Sequence, residues 1–510
     1  YEDVTNIDSV GVITARNGIN VSGGIGTFAG NINVSGNINA NGNIVGDNST
    51  NISGVSSVTA TNFYGNGASL SGIEAAPTFQ ATASGAIANG KTIVLNSDGT
   101  VSAAATTFVA NSVGSEVEIT SPAGGSRMLS SVWISDTKFV VIWVLRGSPQ
   151  TPYMAVGTVS GTTITYGTAV QVDSIWGYSA GIIWDKSVNA GFVAIGDSWN
   201  ATGKGYGFTV SGTTLTIRAA NSSGYWTDGG DKRCIRVASN GKGNFAMVYI
   251  DSNGTISTRA GTINSSADIS VGSVSNTYSG YKSDGNLFGK GTCDIAYNPD
   301  LGSATSSSFG VFAINTSNQG AAAILSDVNQ GGTSHTLNGF TALVGGLNDS
   351  PGVALTYNTE FNCFYAVYRI SNSNYSRTWT AQSNGTTVQD LNSLEVASTN
   401  PAADYYGVDY SSTTKKAYIA LATGSKIQGY EVSFASNSSI TVSSIQPLTA
   451  ANTDTNGATI SANNTKGKIY VAVSDPSSPY YVKSHIWQTE IINTNVTANN
   501  FLGFSADAYT

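Results

Sequence analysis

Met154-Ala-Val-Gly-Thr-Val-Ser-Gly-Thr-Thr-Ile-Thr-Tyr-Gly167 and Gly205-Tyr-Gly-Phe-Thr-Val-Ser-Gly-Thr-Thr-Leu-Thr-Ile217 can be laid over one another, and that overlay decides the fold. Each is a β-rich run, a Ser-Gly-Thr turn and a second β-rich run, which is the pattern of a hairpin. Looser copies follow at 258–270 and 428–441. Each unit also opens with a strand pair, two apolar runs around a polar turn. These pairs are Val132–Ile134 with Phe139–Val144, Ile182–Trp184 with Gly191–Ile195, and Ile235–Ala238 with Asn244–Ile250. Later ones are Asp294–Tyr297 with Phe309–Ile314, Val353–Tyr357 with Cys363–Ile370, Gly407–Tyr410 with Ala417–Ala422, and Ala458–Ala462 with Lys468–Ser474. Seven units of about 50 residues, four strands each, have the period of β-propeller blades.

The seventh unit stops after its third strand, near Ile486–Ile492. The missing strand stands at the front of the region: Val113-Gly-Ser-Glu-Val-Glu-Ile-Thr120 is similar to Tyr166–Asp173 and Asn392–Ser398, the fourth strands of other units. The reading is therefore an all-β, seven-bladed propeller over 113–492, closed by an N-terminal strand that leaves no open sheet edge. A two-sheet sandwich array is the competing arrangement.

Around this region the dialect changes. Gly30-Asn31-Ile32, Gly36-Asn37-Ile38 and Gly42-Asn43-Ile44 repeat at six-residue steps. Such a step offers one aliphatic side chain per short extended rung, with glycine where chains approach closely. Residues 1–75 accordingly read as a fibrous β-stalk, trimeric with copies of itself, against the plainer reading of a Gly/Asn-rich linker. Residues 76–112 read as a small β transition module with a strand at Thr78–Ala83 and a hairpin around Asp98–Gly99, and 493–510 as the start of a further stalk segment. The chain opens on Tyr1, without a Met, and reads as a window onto something longer.

Composition excludes several functions. Only 11% of residues are charged and the net charge is −8, with no basic cluster, so nothing recommends a nucleic-acid partner. No apolar run is long enough to span a bilayer as a helix. Two histidines, His335 and His485, leave little for a metal site or a triad, and neither a metal nor a cofactor is expected. Cys234, Cys293 and Cys363 are too scattered for a disulfide framework and read as buried core residues. No Asp-box, calcium loop or G-x-S-x-G elbow marks a catalytic centre, so no catalytic residue is assigned.

Topology then places candidate binding residues. In a ring closed this way the chain enters and leaves on one face. The opposite face carries the loops from each fourth strand to the next blade and from each second strand to the third. Those loops are rich in aromatics and acids, which respectively stack on sugar faces and hydrogen-bond sugar hydroxyls. Trp176, Tyr178, Trp199, Tyr225, Trp226, Asp228, Tyr281, Asp284, Tyr405 and Tyr406 are the ligand-binding candidates. Replacing Trp226 and Tyr406 by Ala is expected to leave folding intact and weaken attachment. Trp133, Trp143 and Trp184 lie on strand patterns and read as core.

The end segments carry a resemblance. Residues 1–21, Tyr-Glu-Asp-Val-Thr-Asn-Ile-Asp-Ser-Val-Gly-Val-Ile-Thr-Ala-Arg-Asn-Gly-Ile-Asn-Val, look like a repeated module of tail-fibre-like structural proteins of marine cyanophages. Residues 60–73 are similar to a glycine-rich stalk motif of phage fibres and bacterial surface proteins, and residues 81–92 and 495–505 resemble segments of the cyanophage proteins. The resemblance covers about the first hundred residues and the last eighteen. It implies a non-enzymatic virion fibre, or another extracellular surface structure, whose partners are copies of itself, other virion or filament proteins, and a host surface glycan or protein. A bacterial or algal adhesin and a polysaccharide depolymerase are the alternatives.

Overall fold

In this computed structural model the described residues are 27, 29, 31–41, 56–57 and 80–504, with the exception in the last range of 120–121, 123–124, 147–149, 198–199, 201, 219–224, 227–229, 284–290, 348–351, 371–372, 383–384, 398–404, 424–425, 444–445, 449–457, 475–481, 490, 495 and 497–499. The chain divides into two compact units, 1–80 and 81–510.

The second unit is a seven-bladed propeller. Blade 2 shows the plan: Gly177–Asp185, Ala190–Asp197, Thr202–Ser211 and Thr214–Ile217 pair antiparallel in chain order, innermost to outermost. The repeated Ser-Gly-Thr-Thr is its outer hairpin, with Ser211 opposite Thr214 and Gly212 at φ +62°; in blade 1 Ser160 faces Thr163 and Gly161 has φ +59°. A two-residue turn between right-twisted strands needs that left-handed backbone, which glycine adopts without strain. Second strands such as Ala190–Asp197 and Asn244–Asp251 are buried along their whole length. Both faces of each blade are covered by neighbouring blades, so these strands read as apolar runs rather than alternating ones.

The innermost strands of blades 1 to 7 begin at Gly125, Gly177, Lys232, Cys293, Ala354, Tyr405 and Ala458. Seven apolar clusters fill the seven seams between neighbouring blades. The seam between blades 7 and 1 is as full as the others, with Phe139, Val141 and Trp143 of blade 1 against Tyr470, Ala472 and Ile486 of blade 7. Trp133, Trp143 and Trp184 are buried, as expected of core residues.

Closure follows the sequence reading. Ser112–Val113 and Val117–Ile119 form the outer edge of blade 7, with Val113 opposite Trp487 and Ile119 opposite Val482. Asn111 Oδ1 accepts the Trp487 indole N–H at 2.8 Å. On entry and exit the chain runs beside itself, Thr106–Val109 antiparallel to Ile491–Thr494. The hairpin expected at Asp98–Gly99 joins Thr92–Leu95 to Val101–Ala103. Phe501–Phe504, in the segment read as a further stalk, pairs with the other edge of Thr92–Leu95.

Of the first unit little is described. Residues 31–41 contain no strand, and Ile32 and Ile38 are 62% and 73% exposed. The rest of the expected stalk lies outside the described residues, as do Thr78 and Phe79 of the expected strand.

Candidate ligand-binding face

The first strands of the blades begin, and the second strands end, at the edge of the ring opposite the paired entry and exit strands. Trp199, Asp228 and Asp284 of the candidate set lie outside the described residues. Tyr225, Tyr405 and Tyr406 are placed by backbone only, opposite Lys204, Ala422 and Leu421.

Three other candidates are packing residues, which corrects their reading as exposed rings. Trp226 is 3% exposed in the seam between blades 2 and 3. It lies flat on the facing strand because Gly203 has no side chain; a Cβ there would stand 1.9 Å from the indole. The Tyr249 ring centre and the Arg259 guanidinium carbon also stand near it, 6.4 and 6.0 Å from the indole centre. Tyr178 packs on Val144 beneath the Arg233 guanidinium, 5.4 Å above its ring. Tyr281 is buried against Phe340, with ring centres 4.9 Å apart, and burial pushes its hydroxyl pKa up. The expectation that Trp226 can be truncated without harm to folding fails for the same reason: its surface is taken up by the seam.

Trp176 is different. It is half-buried, at the point where the chain crosses from blade 1 to blade 2. Three residues earlier Asp173 accepts hydrogen bonds from the Tyr206 hydroxyl, from Lys204 Nζ at 3.1 Å and from the Ser174 N–H at 2.6 Å. Burial opposes the Asp173 carboxylate, but these donors outweigh it and hold its pKa below the usual range. Gln171 and Ser174 extend the group, with Gln171 Nε2 donating to Ser174 Oγ at 2.8 Å. A fixed carboxylate, an ammonium and an amide held together, with an indole three residues along the chain from the carboxylate, are groups of the kind that recognise a polyhydroxylated ligand.

The opposite face holds a cavity that the sequence reading did not find. It measures about 250 Å³ and is lined by residues of four blades, among them Trp133, Asp136, Trp184, Lys186, Asp409 and Asn463. A depression of about 460 Å³ adjoins it, sharing Asp136, Trp184 and Lys186. Trp133 Nε1 donates to Ser461 O at 2.9 Å, and Asn463 Nδ2 donates to the carbonyls of Ser135 and Asp136 at 3.2 Å each. The Thr465 hydroxyl, aided by Lys466, holds the Asp136 pKa down, whereas burial pushes Asp409 up to about 6. Both Asp409 oxygens accept main-chain N–H groups, Oδ1 from Tyr410 at 2.9 Å and Oδ2 from Ala462 at 2.8 Å. Asp409 therefore ties blade 6 to blade 7. No group of three or more metal-ligating side chains occurs among the described residues.

The fold defines the chain as a seven-bladed β-propeller protein. No protein-family model matches it, and no curated protein matches it in sequence. Among solved structures it is similar to a protein from Lactobacillus plantarum, at 11% identity and a TM-score of 0.43 over 61% of this chain and 83% of that one. It is also similar to a mutant of the lectin AAL of Aleuria aurantia in complex with Fucα1-6GlcNAc, at 12% identity and a TM-score of 0.38, covering 64% and 96% of the two chains. A mutant of AofleA from Arthrobotrys oligospora matches at 8% identity and a TM-score of 0.38, over 75% and 90%.

Proposed function

We propose that this chain is part of an extracellular fibre of the kind virions carry, and that its propeller is a non-enzymatic head which binds a host surface glycan. The observation that supports the reading is the pairing of the entering and leaving strands, which brings both of the propeller's chain connections to one face. Trp176, Asp173 and Lys204 supply groups suited to a sugar. The low charge keeps the surface from sticking non-specifically, and the resemblance of the end segments to phage fibres supports the setting. The chain's partners on this reading are copies of itself, trimerised through the six-residue repeat, other virion or filament proteins, and the surface glycan. Three heads per fibre would multiply weak single-site binding by raising effective concentration.

The test is binding of the whole chain to an array of microbial surface glycans, beside Trp176→Ala. The expected result is a glycan hit that falls about tenfold or more in the variant, the scale of losing one stacked ring, at an unchanged denaturation midpoint. Absence of any glycan binding would overturn the reading. Unchanged binding by Trp176→Ala would move the site to another part of the propeller.

A second reading, cleavage of a surface polysaccharide, draws on the carboxyl groups of Asp136 and Asp409, whose pKa values shift in opposite directions around one cavity. Release of oligosaccharide from a bound polysaccharide, abolished by Asp136→Asn, would establish it in place of simple binding.

A further inference from the structure

Cys234 and Cys293 are separated by 59 residues, yet their sulfur atoms stand 2.9 Å apart. They lie near the starting ends of the innermost strands of adjacent blades, Lys232–Ser239 and Cys293–Ser303. Each sulfur also approaches the other residue's carbonyl oxygen, Cys234 Sγ at 3.4 Å and Cys293 Sγ at 3.7 Å, so the two main chains converge. Ile250, Ile256, Ile295 and Val311 belong to the same seam cluster, and both thiols are buried, at 1% and 0% exposure. Cys363 is buried at the start of the second strand of blade 5, and the sulfur contact among the described residues joins the other two cysteines.

We propose that Cys234 and Cys293 are a covalent modification site, at which a disulfide cross-links blade 3 to blade 4. A disulfide needs its sulfurs at about 2.05 Å, so closing the gap takes a shift of about 0.9 Å, within reach of side-chain rotation. The chemistry balances with a small-molecule disulfide such as oxidised glutathione. One cysteine thiolate attacks a glutathione sulfur and expels the first glutathione thiolate. The second cysteine thiolate then attacks the mixed disulfide at the protein sulfur and expels the other. The protein loses two hydrogens and the acceptor becomes two thiols. Because both sulfurs are buried in the finished seam, the exchange belongs to folding or to local opening of blades 3 and 4. In the finished seam burial disfavours either thiolate, while the Cys293 S–H and the Arg236 guanidinium favour it at Cys234.

The test is to refold the whole chain in oxidised glutathione or in dithiothreitol, denature each sample with N-ethylmaleimide and count adducts by mass. The expected result is one adduct per chain after oxidised glutathione and three after dithiothreitol. Peptide mapping of the first sample should show Cys234 joined to Cys293 and the single adduct on Cys363. Cys363→Ser should lose that adduct and keep the cross-link. Three adducts after oxidised glutathione, or a cross-link that involves Cys363 or a second chain, would overturn the proposal.

Discussion

Ring closure by the N-terminal strand makes a quantitative demand. Two truncations separate its effects: a chain beginning at 110 keeps the closing strand, one beginning at 121 loses it, and both lack Thr106–Val109. Loss removes five paired positions from the outer edge of blade 7, Ser112, Val113, Val117, Glu118 and Ile119. At one net hydrogen bond per position and about 1 kcal/mol each, the ladder contributes about 5 kcal/mol. Ile119, 7% exposed in the seam between blades 7 and 1, adds about 2 kcal/mol of apolar burial. The sum, about 7 kcal/mol, is comparable to the whole stability of an ordinary domain, about 5–15 kcal/mol. It also exposes Val482–Gln488 as an unpaired edge, open to other chains. The shorter truncation is therefore expected to associate during size-exclusion chromatography and to denature well below the longer one. A synthetic peptide spanning 111–120, added in trans, should recover part of the difference. If both truncations were monomeric with equal midpoints, the closing strand would not be holding the ring.

Two further expectations concern the interior. Trp226→Ala should lower stability by about 3–5 kcal/mol, the range for emptying a buried aromatic site; a denaturant titration checks it, and an unchanged midpoint would return Trp226 to the surface. Acidification should stabilise the ring through Asp294 and Asp409, whose carboxyls burial pushes up to about 6. The folded chain binds these protons more tightly than the unfolded one, so stability rises as pH falls through 6 and levels off near 4, by up to about 3 kcal/mol per group. His335 opposes this, since burial lowers its pKa and its protonation costs stability as pH falls. Comparing midpoints at pH 7.5 and 5 for the chain and for Asp294→Asn with Asp409→Asn isolates the carboxyl effect; parallel profiles would refute it.

The propeller was legible because its outer hairpin repeats a turn with a fixed backbone need, Ser-Gly-Thr-Thr at Gly161 and Gly212. Its seventh blade was legible because a missing strand and a spare one resemble each other. The binding residues were harder to read because loops and seams use the same side chains. Trp226 sits in a seam because Gly203, more than twenty residues earlier, leaves a slot for its ring. Nothing local to Trp226 records that slot. The Cys234–Cys293 contact is hidden by a whole blade of intervening chain. The cavity around Trp133 and Asp409 is likewise assembled from turns and strands hundreds of residues apart, which only ring closure brings together.

The antiparallel pairing of Thr106–Val109 with Ile491–Thr494 also has a mechanical meaning. Thr106 lies opposite Thr494, so tension drawn through the two ends of this unit arrives at the same end of the ladder. It opens the ladder like a zipper, one bond at a time, rather than shearing all its bonds together. Such a joint yields at low load and closes again when slack returns. While the ladder holds, the blades beyond it carry none of that pull, and their own hydrogen bonds and seams stay unstrained.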